Sequence, residues 1–370
     1  MADVALLVNG AHHRGWTSMR VQRGIEQASG AFEVAYSERW PGQTTAWPIN
    51  PGDACQLQLD GESVITGYVD SAEVSLEAGA RTLRVVGRDR AADLVDCAAV
   101  QPGEKTGAWH GARLDRIAAD LARPYGVTVS AETDLGAAFS THEIQPGESA
   151  WACLERAARL RAVLVVSDGI GGLIITRAGA QKHPAMIAAG QALRQSLARD
   201  DSQRFSRYVA RGQNTAHQSD ASIGGADVAA TISTQGIAVD AAIARYRPTI
   251  LMAEDLAEGV TVQDRAEWEA MVRRARGRRV SVALQGWGES GMLWRPNQRV
   301  QLDLPAIGIV GELLIVSVAQ NLDDSGTISE LELAPPEAYN LLATREKKKR
   351  KGKQGANLSP ADAEMLRLLS

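Results

Sequence analysis

The sequence is short of the residues most often recruited for chemistry. Its three cysteines, Cys55, Cys97 and Cys153, are widely separated and form no CxxC spacing. That argues against a disulfide framework or a cysteine zinc site, and predicts reduced, mostly buried thiols. Phenylalanine is scarce, at 3 residues, so the 8 tryptophans must supply much of the aromatic packing. Uninterrupted apolar runs are short, as at Ala162 to Val166, whereas a membrane-spanning helix needs roughly 18–20 apolar residues. The N-terminal MADVALLVNG has neither a basic region nor a full apolar stretch, so no secretory signal is expected. Folding in a reducing cytoplasm is the resulting expectation.

Catalytic signatures are missing too. Gly-Glu-Ser occurs at Gly61, Gly147 and Gly288, but never with the final glycine of a nucleophile elbow. Gly103-Glu104-Lys105-Thr106 places an acid where a phosphate loop must stay bare. Gly169-x-Gly171 lacks the remaining glycine of a dinucleotide fingerprint. The histidines give no HExxH; His142-Glu143 has no second histidine at the required spacing. No catalytic residue, cofactor or metal is assigned, and the chain is expected not to be an enzyme.

What is present is length enough for two to four domains, at roughly 100–200 residues each, and an uneven charge. Arg345 to Lys353 (REKKKRKGK) is strongly basic, although the whole chain carries a net charge of −4. An acidic body with a short basic tail does not match a general nucleic-acid binder.

The hydrophobic period divides the chain. Up to about residue 90 it alternates in short runs, as in Cys55 to Leu59, with Asp60-Gly61 as a hairpin turn. This predicts a small barrel or sandwich over 1–92. Leu114, Ile117, Ala118 and Leu121 then follow a helical period. Ser149 to Ala162 predicts a second helix, and Asp168 to Gly172 a hairpin loop, giving an α/β unit over 93–190. A strand at 204–213 is expected to open a second barrel, assigned to 191–215 with 280–340. An inserted α/β or helical unit over 216–279 would hold the helix Asp264 to Arg278, capped by Thr261 with Asp264. His217 to Gln235 reads as loop. Residues 341–370 read as a flexible basic tail, with a short helix at Ala361 to Leu369.

Two resemblances follow from local motifs. His142-Glu143-Ile144-Gln145-Pro146-Gly147-Glu148-Ser149-Ala150-Trp151 is similar to the opening of a LysM peptidoglycan-binding module. That offers an alternative function for 142–162, in a cell-wall-binding or lytic tail component. More of the chain, about 4–340, resembles the baseplate hub proteins of Mu-like contractile-tailed bacteriophages. The residues that carry this include Val8-Asn9-Gly10, Gly15-Trp16, Phe32-Glu33-Val34, Pro51-Gly52-Asp53 and Thr66-Gly67-Tyr68-Val69-Asp70. Gly87-Arg88-Asp89-Arg90, followed by Asp93-Leu94-Val95-Asp96-Cys97, is the most specific run. Arg247-Pro248, Arg265-Ala266-Glu267-Trp268-Glu269, Gly286-Trp287 and Gly291-Met292-Leu293-Trp294-Arg295-Pro296-Asn297 complete the set.

The resemblance implies a multidomain α+β protein with two β-barrel tube domains and two smaller α/β domains. It implies a homotrimer whose barrels form a pseudo-sixfold ring between the hexameric tail tube and the trimeric central spike. Other baseplate proteins would surround it, and DNA would pass through the lumen without specific binding. It also implies kinship with the N-terminal part of type VI secretion spike proteins. The expected place is the baseplate of the virion tail. Gly87, Arg88, Asp89, Asp93, Trp268, Trp287 and Trp294 are singled out as structural motif residues. From the residues alone, Gly87 is expected to end a strand where a side chain would collide, and Asp93 to cap or begin a helical turn. Trp287 and Trp294 are expected to bracket a turn and pack over the second barrel.

Overall fold

A computed structural model gives the fold over residues 3–39, 48–77, 80–100, 107–212, 234–253 and 260–342. The basic cluster, the helix expected at Ala361 to Leu369 and most of the loop expected at His217 to Gln235 lie outside these residues.

The first β region holds the strands Val4–Val8, Ala11–His13, Ser18–Gly24, Ala31–Arg39, Ala54–Leu59, Glu62–Glu77 and Ala80–Asp89. Alternation does the sorting. Along Ala54–Leu59, Cys55, Leu57 and Leu59 are buried while Gln56 and Gln58 are half-buried. The chain turns at Asp60-Gly61, where φ is 49° and 83°. Two positive φ values in succession match the twist of the flanking strands.

The second β region is built from Gln181–Ala188, Ala192–Arg199, Arg278–Gln285, Gln298–Leu304, Ile309–Asp323 and Gly326–Ala334. Each region wraps its own core. The first is packed around Leu6, Val21, Phe32, Leu57 and Val85, the second around Val282, Trp294, Leu302, Ile315 and Leu333.

The two regions are continuous with each other. All these strands belong to a single 13-stranded sheet, and among the described residues no pairing closes either region on itself. The strand Ile309–Asp323 serves both. Its first half, Ile309 to Leu314, pairs with Gln298–Leu304. Its second half, Ser317 to Leu322, runs antiparallel to Met19–Gly24 of the first region.

The strand order is repeated. The first region runs Ser18–Gly24, Ala31–Arg39, Ala80–Asp89, Glu62–Glu77, Ala54–Leu59, Val4–Val8 across the sheet. The second runs Ala192–Arg199, Arg278–Gln285, Gly326–Ala334, Ile309–Asp323, Gln298–Leu304, Gln181–Ala188. The long hairpins match residue for residue. The register shifts between Val69 and Ser71 in one and between Ile315 and Ser317 in the other. The hairpins end at Glu77 opposite Ala80 and at Asp323 opposite Gly326. One difference is the last pair, antiparallel in the first region and parallel in the second.

Between the regions lies an α/β unit with helices Ala91–Asp96, Leu114–Ala122 and Ala150–Leu160. Leu114, Ile117, Ala118 and Leu121 all enter its core, as their helical spacing predicts. The Ser149 hydroxyl caps the third helix by accepting from Ala152 N–H at 3.2 Å.

A further unit is inserted in the second region. The strand expected at 204–213 forms as Arg207–Gly212, but it does not open the second β region. It pairs with Thr234–Val239 and Pro248–Met252 in a separate three-stranded sheet. The helix Val262–Arg276 covers one face of that sheet, through Ala210, Ala253 and Ala266. Small side chains there let helix and sheet approach closely. Gln181–Ala188, assigned from sequence to the α/β unit, supplies a strand of the second region instead, because Ile187 buries in its core.

Candidate assembly site at the joint between the β regions

Where Ser317–Leu322 meets Met19–Gly24, polar groups are buried with the strands. Arg23 is 8% exposed and Gln320 fully buried. Arg23 Nη2 donates to Gln320 Oε1 at 3.3 Å and to the Trp294 carbonyl at 3.4 Å. Gln320 Nε2 donates to the Trp287 carbonyl at 3.1 Å. Burial, with Arg295 nearby, pulls the Arg23 guanidinium down to about 10, while Glu62 and Asp89 oppose that shift. On the surface, Arg20 Nη1 donates to Asn321 Oδ1 at 3.1 Å across the same strand pair, and Arg295 is ion-paired with Glu62. Buried polar groups tie a joint to one register, because a slipped strand would leave them without partners.

Asp89 makes the second joint. It is 1% exposed and accepts from three elements. Gly30 N–H donates to Oδ2 at 2.6 Å, Ser167 Oγ to Oδ2 at 2.8 Å, and Ala91 N–H to Oδ1 at 2.9 Å. One carboxylate thus ties the first sheet to the start of a helix and to the α/β unit. Burial pushes its pKa up to about 6, against the lowering pull of those hydrogen bonds. The glycine-rich loop docks beside it, with Thr66 N–H donating to the Gly169 carbonyl at 2.7 Å. Gly169 has φ +79°, and a Cβ there would lie 2.4 Å from the Val64 carbonyl oxygen. The loop is an interdomain contact, and its glycine is needed for close approach.

The other motif residues are spread around these joints. Gly87 lies inside the strand Ala80–Asp89, not at its end, paired with Phe32 and Val69. The collision expected of a side chain is present: a Cβ would sit 2.5 Å from the Tyr68 carbonyl oxygen and 2.6 Å from the Phe32 ring. Arg88 is gripped by two carboxylates, Asp70 and Asp96, each at 2.7 Å. Those hydrogen bonds raise its pKa further. Asp93 does not cap its helix; Arg90 holds that position, and Asp93 sits in the first turn. An acid there still faces the positive end of the helix dipole. Trp268 Nε1 donates to the Asn340 carbonyl at 2.9 Å, fastening the chain near its end to the inserted helix.

Trp287 corrects an expectation. It flanks the small hairpin of Gly288–Glu289 and Met292–Leu293 with Trp294, but its ring enters the first core, while Trp294 enters the second. The joint residues Arg23, Gln320 and Ser167 were not singled out from sequence, and Gly169 was read there only as part of a hairpin loop. A lone arginine in a strand and a lone glutamine in another carry no signal until the strands are paired.

Segment 142–162 is spent on its own unit. His142 is buried between Trp109 and Phe139, and Trp151 packs against the α/β core. Cys153 is buried, its thiol pushed up to about 12 by burial, as is Cys55; Cys97 is exposed. Among the described residues no group of three or more His, Cys, Asp or Glu is placed to hold a metal.

Comparison with known proteins follows the same divisions. Residues 3–89 match the N-terminal domain of the Mu phage baseplate assembly protein GpP-like model. Residues 91–177 match the second domain of the baseplate hub protein gp44-like model, and 259–342 the fourth domain of GpP. Baseplate hub protein gp44 of Escherichia phage Mu is 34% identical over 355 residues, covering 94% of this chain and 92% of that protein. The chain belongs to the baseplate hub family of Mu-like bacteriophages. The hub fold is also that of the 43 kDa tail protein of prophage MuSo2 from Shewanella oneidensis. That structure is 30% identical, with a TM-score of 0.78, over 92% of this chain and 99% of the other. In fold alone the hub resembles a type VI secretion component of E. coli, itself described as structurally similar to T4 tail proteins gp27 and gp5. There the identity is 10% and the TM-score 0.53, over 91% of this chain and 78% of the other.

Proposed function

We propose that three copies of this hub close into a pseudo-hexameric ring in the virion tail baseplate. The ring joins the hexameric tail tube to the trimeric central spike and lets DNA pass during ejection. The observation that carries this reading is the repeated strand order. One chain offers two near-equivalent β regions, so threefold closure yields six similar positions. That reconciles a sixfold neighbour on one side with a threefold neighbour on the other. The work would be assembly: Arg23, Asp89, Trp287 and Trp294 are spent on joints within the chain. Other baseplate proteins would surround the ring, which would form in the host cytoplasm before incorporation. An acidic lumen would discourage DNA from sticking. Among the described residues no helix is long and apolar enough to cross a membrane.

The test is the mass in solution, by light scattering, of the chain alone and with the spike protein. A species of three chains, in either condition, is expected. A single chain under both conditions overturns the reading. Imaging of the intact baseplate would then locate the ring against tube and spike.

A further inference from the structure

The inserted three-stranded sheet is covered on one face only. Its middle strand, Arg207–Gly212, lies between Thr234–Val239 and Pro248–Met252. Tyr208 and Ala210 share the buried face, where Ala210 meets the helix Val262–Arg276. Strand alternation turns Val209 to the other face, and the pairing places Ile237, Val239, Ile250 and Met252 beside it. Val239 is 65% exposed, Ile250 58% and Met252 53%. A contiguous exposed apolar surface of this kind marks a contact site. Arg207 and Arg211 stand on the same face, both exposed, and neither is in an ion pair among the described residues.

The chain returns to this unit where the described residues end. Trp268 Nε1 donates to the Asn340 carbonyl at 2.9 Å and Arg276 Nε to the Ala338 carbonyl at 3.1 Å, so residues 343–370 depart from beside the inserted helix. Residues 343–358 span up to about 50 Å when extended, at roughly 3.3 Å each. Helix and sheet together are only about 20 Å thick. Ser359-Pro360-Ala361-Asp362 then carries the signature of a helix start: a capping hydroxyl, proline at the first helical position and an acid three residues on. At the helical period Ala361, Met365, Leu368 and Leu369 form one stripe. Asp362 borders the stripe on one side and Glu364 on the other, and Arg367 lies behind it.

We propose that segment 359–370 docks as a helix on the open face of the inserted sheet of its own chain. Its apolar stripe covers Val239, Ile250 and Met252, and its bordering acids meet Arg207 and Arg211. The sheet is then buried on both faces, the arrangement that a layered α/β unit requires. A helix this short is marginal in water by itself, so the face supplies the packing that orders it. Docking also draws the basic run Arg345 to Lys353 across the rim of the inserted unit. Nothing in this contact depends on the proposed ring.

Met252 reports on the cover. Peroxide converts accessible methionine to sulfoxide, which mass spectrometry reads peptide by peptide. Met186, 49% exposed in the second β region, is the internal reference. Met252 should oxidise roughly fivefold more slowly in the full chain than in a chain truncated after Leu358, with Met186 unchanged. Leu368→Asp with Leu369→Asp should match the truncation, and leaves the sheet itself untouched. Arg207→Glu with Arg211→Glu should also expose Met252, and adding Asp362→Arg with Glu364→Arg should restore the slow rate. Equal oxidation of Met252 in the full and truncated chains overturns the proposal. Protection that fades on dilution overturns it too, because the segment would then come from another copy.

Discussion

Trp287 and Trp294 flank one short hairpin and bury in different hydrophobic cores. Trp294 N–H donates to the Trp287 carbonyl at 3.1 Å, so the two rings leave the same small loop in opposite allegiance. The carbonyls of both are then held by the Arg23–Gln320 pair. A loop that sequence assigns to the second region is in fact the clasp between the two.

Gln320→Leu should break that clasp. Leucine fills a similar volume but leaves Arg23 Nη2 with only the Trp294 carbonyl, and the Trp287 carbonyl with only the Trp294 N–H. An unsatisfied buried group costs about 1–3 kcal/mol. Urea unfolding should show a loss in that range, while Gln56→Leu, on a half-buried polar face, should change little.

Gly169→Ala should loosen the α/β unit from the first sheet. The added Cβ meets the Val64 carbonyl oxygen, and the left-handed backbone is itself unfavourable for alanine. A loss of about 2–3 kcal/mol is expected from overpacking and strain. Calorimetry should resolve the unit centred on Leu114–Ala122 as a separate, earlier transition.

Asp89→Asn should change how stability depends on pH. The folded pKa of Asp89, about 6, is above its ordinary value of 3.8, so the folded state binds more protons between these values. Asp89 therefore lowers stability as pH rises through that window, and the effect vanishes below it. Asparagine costs a hydrogen bond at every pH but carries no charge. The stability advantage of wild type over the variant should shrink between pH 4 and pH 7, read from paired denaturant curves.

Thr261→Ala should fray the inserted helix at its start. Thr261 Oγ1 accepts from Asp264 N–H at 3.1 Å, and Asp264 Oδ2 accepts from Thr261 N–H at 2.8 Å. Losing the hydroxyl half of this reciprocal cap costs about 1 kcal/mol. Hydrogen exchange should rise in the first turn of Val262–Arg276, with the last turn unchanged.

Much of the local structure was legible in the residues. Leu114, Ile117, Ala118 and Leu121 announce a helix because 3.6 residues per turn places them on one face. Cys55, Leu57 and Leu59 announce a strand, Asp60-Gly61 its turn, and Thr261 with Asp264 a cap. Such features depend on neighbours a few positions away, and spacing in the sequence encodes them. The strand Arg207–Gly212 was also legible as a strand, but its partners were not.

The sequence by itself determined the elements, the absence of recognised catalytic motifs and the family likeness. Only the tertiary structure decided how the elements join. Ile309–Asp323 carries no local mark of its double role, which shows only when its two halves are paired with two regions. Asp89 reads as one acid among 44 acidic residues until Gly30, Ala91 and Ser167 converge on it. The repeat of strand order left no clear repeat of residues, because a sheet position asks only for an apolar or polar face, which many side chains satisfy. Pairing is set by contacts between residues far apart in the chain, and that information exists only once the chain is folded.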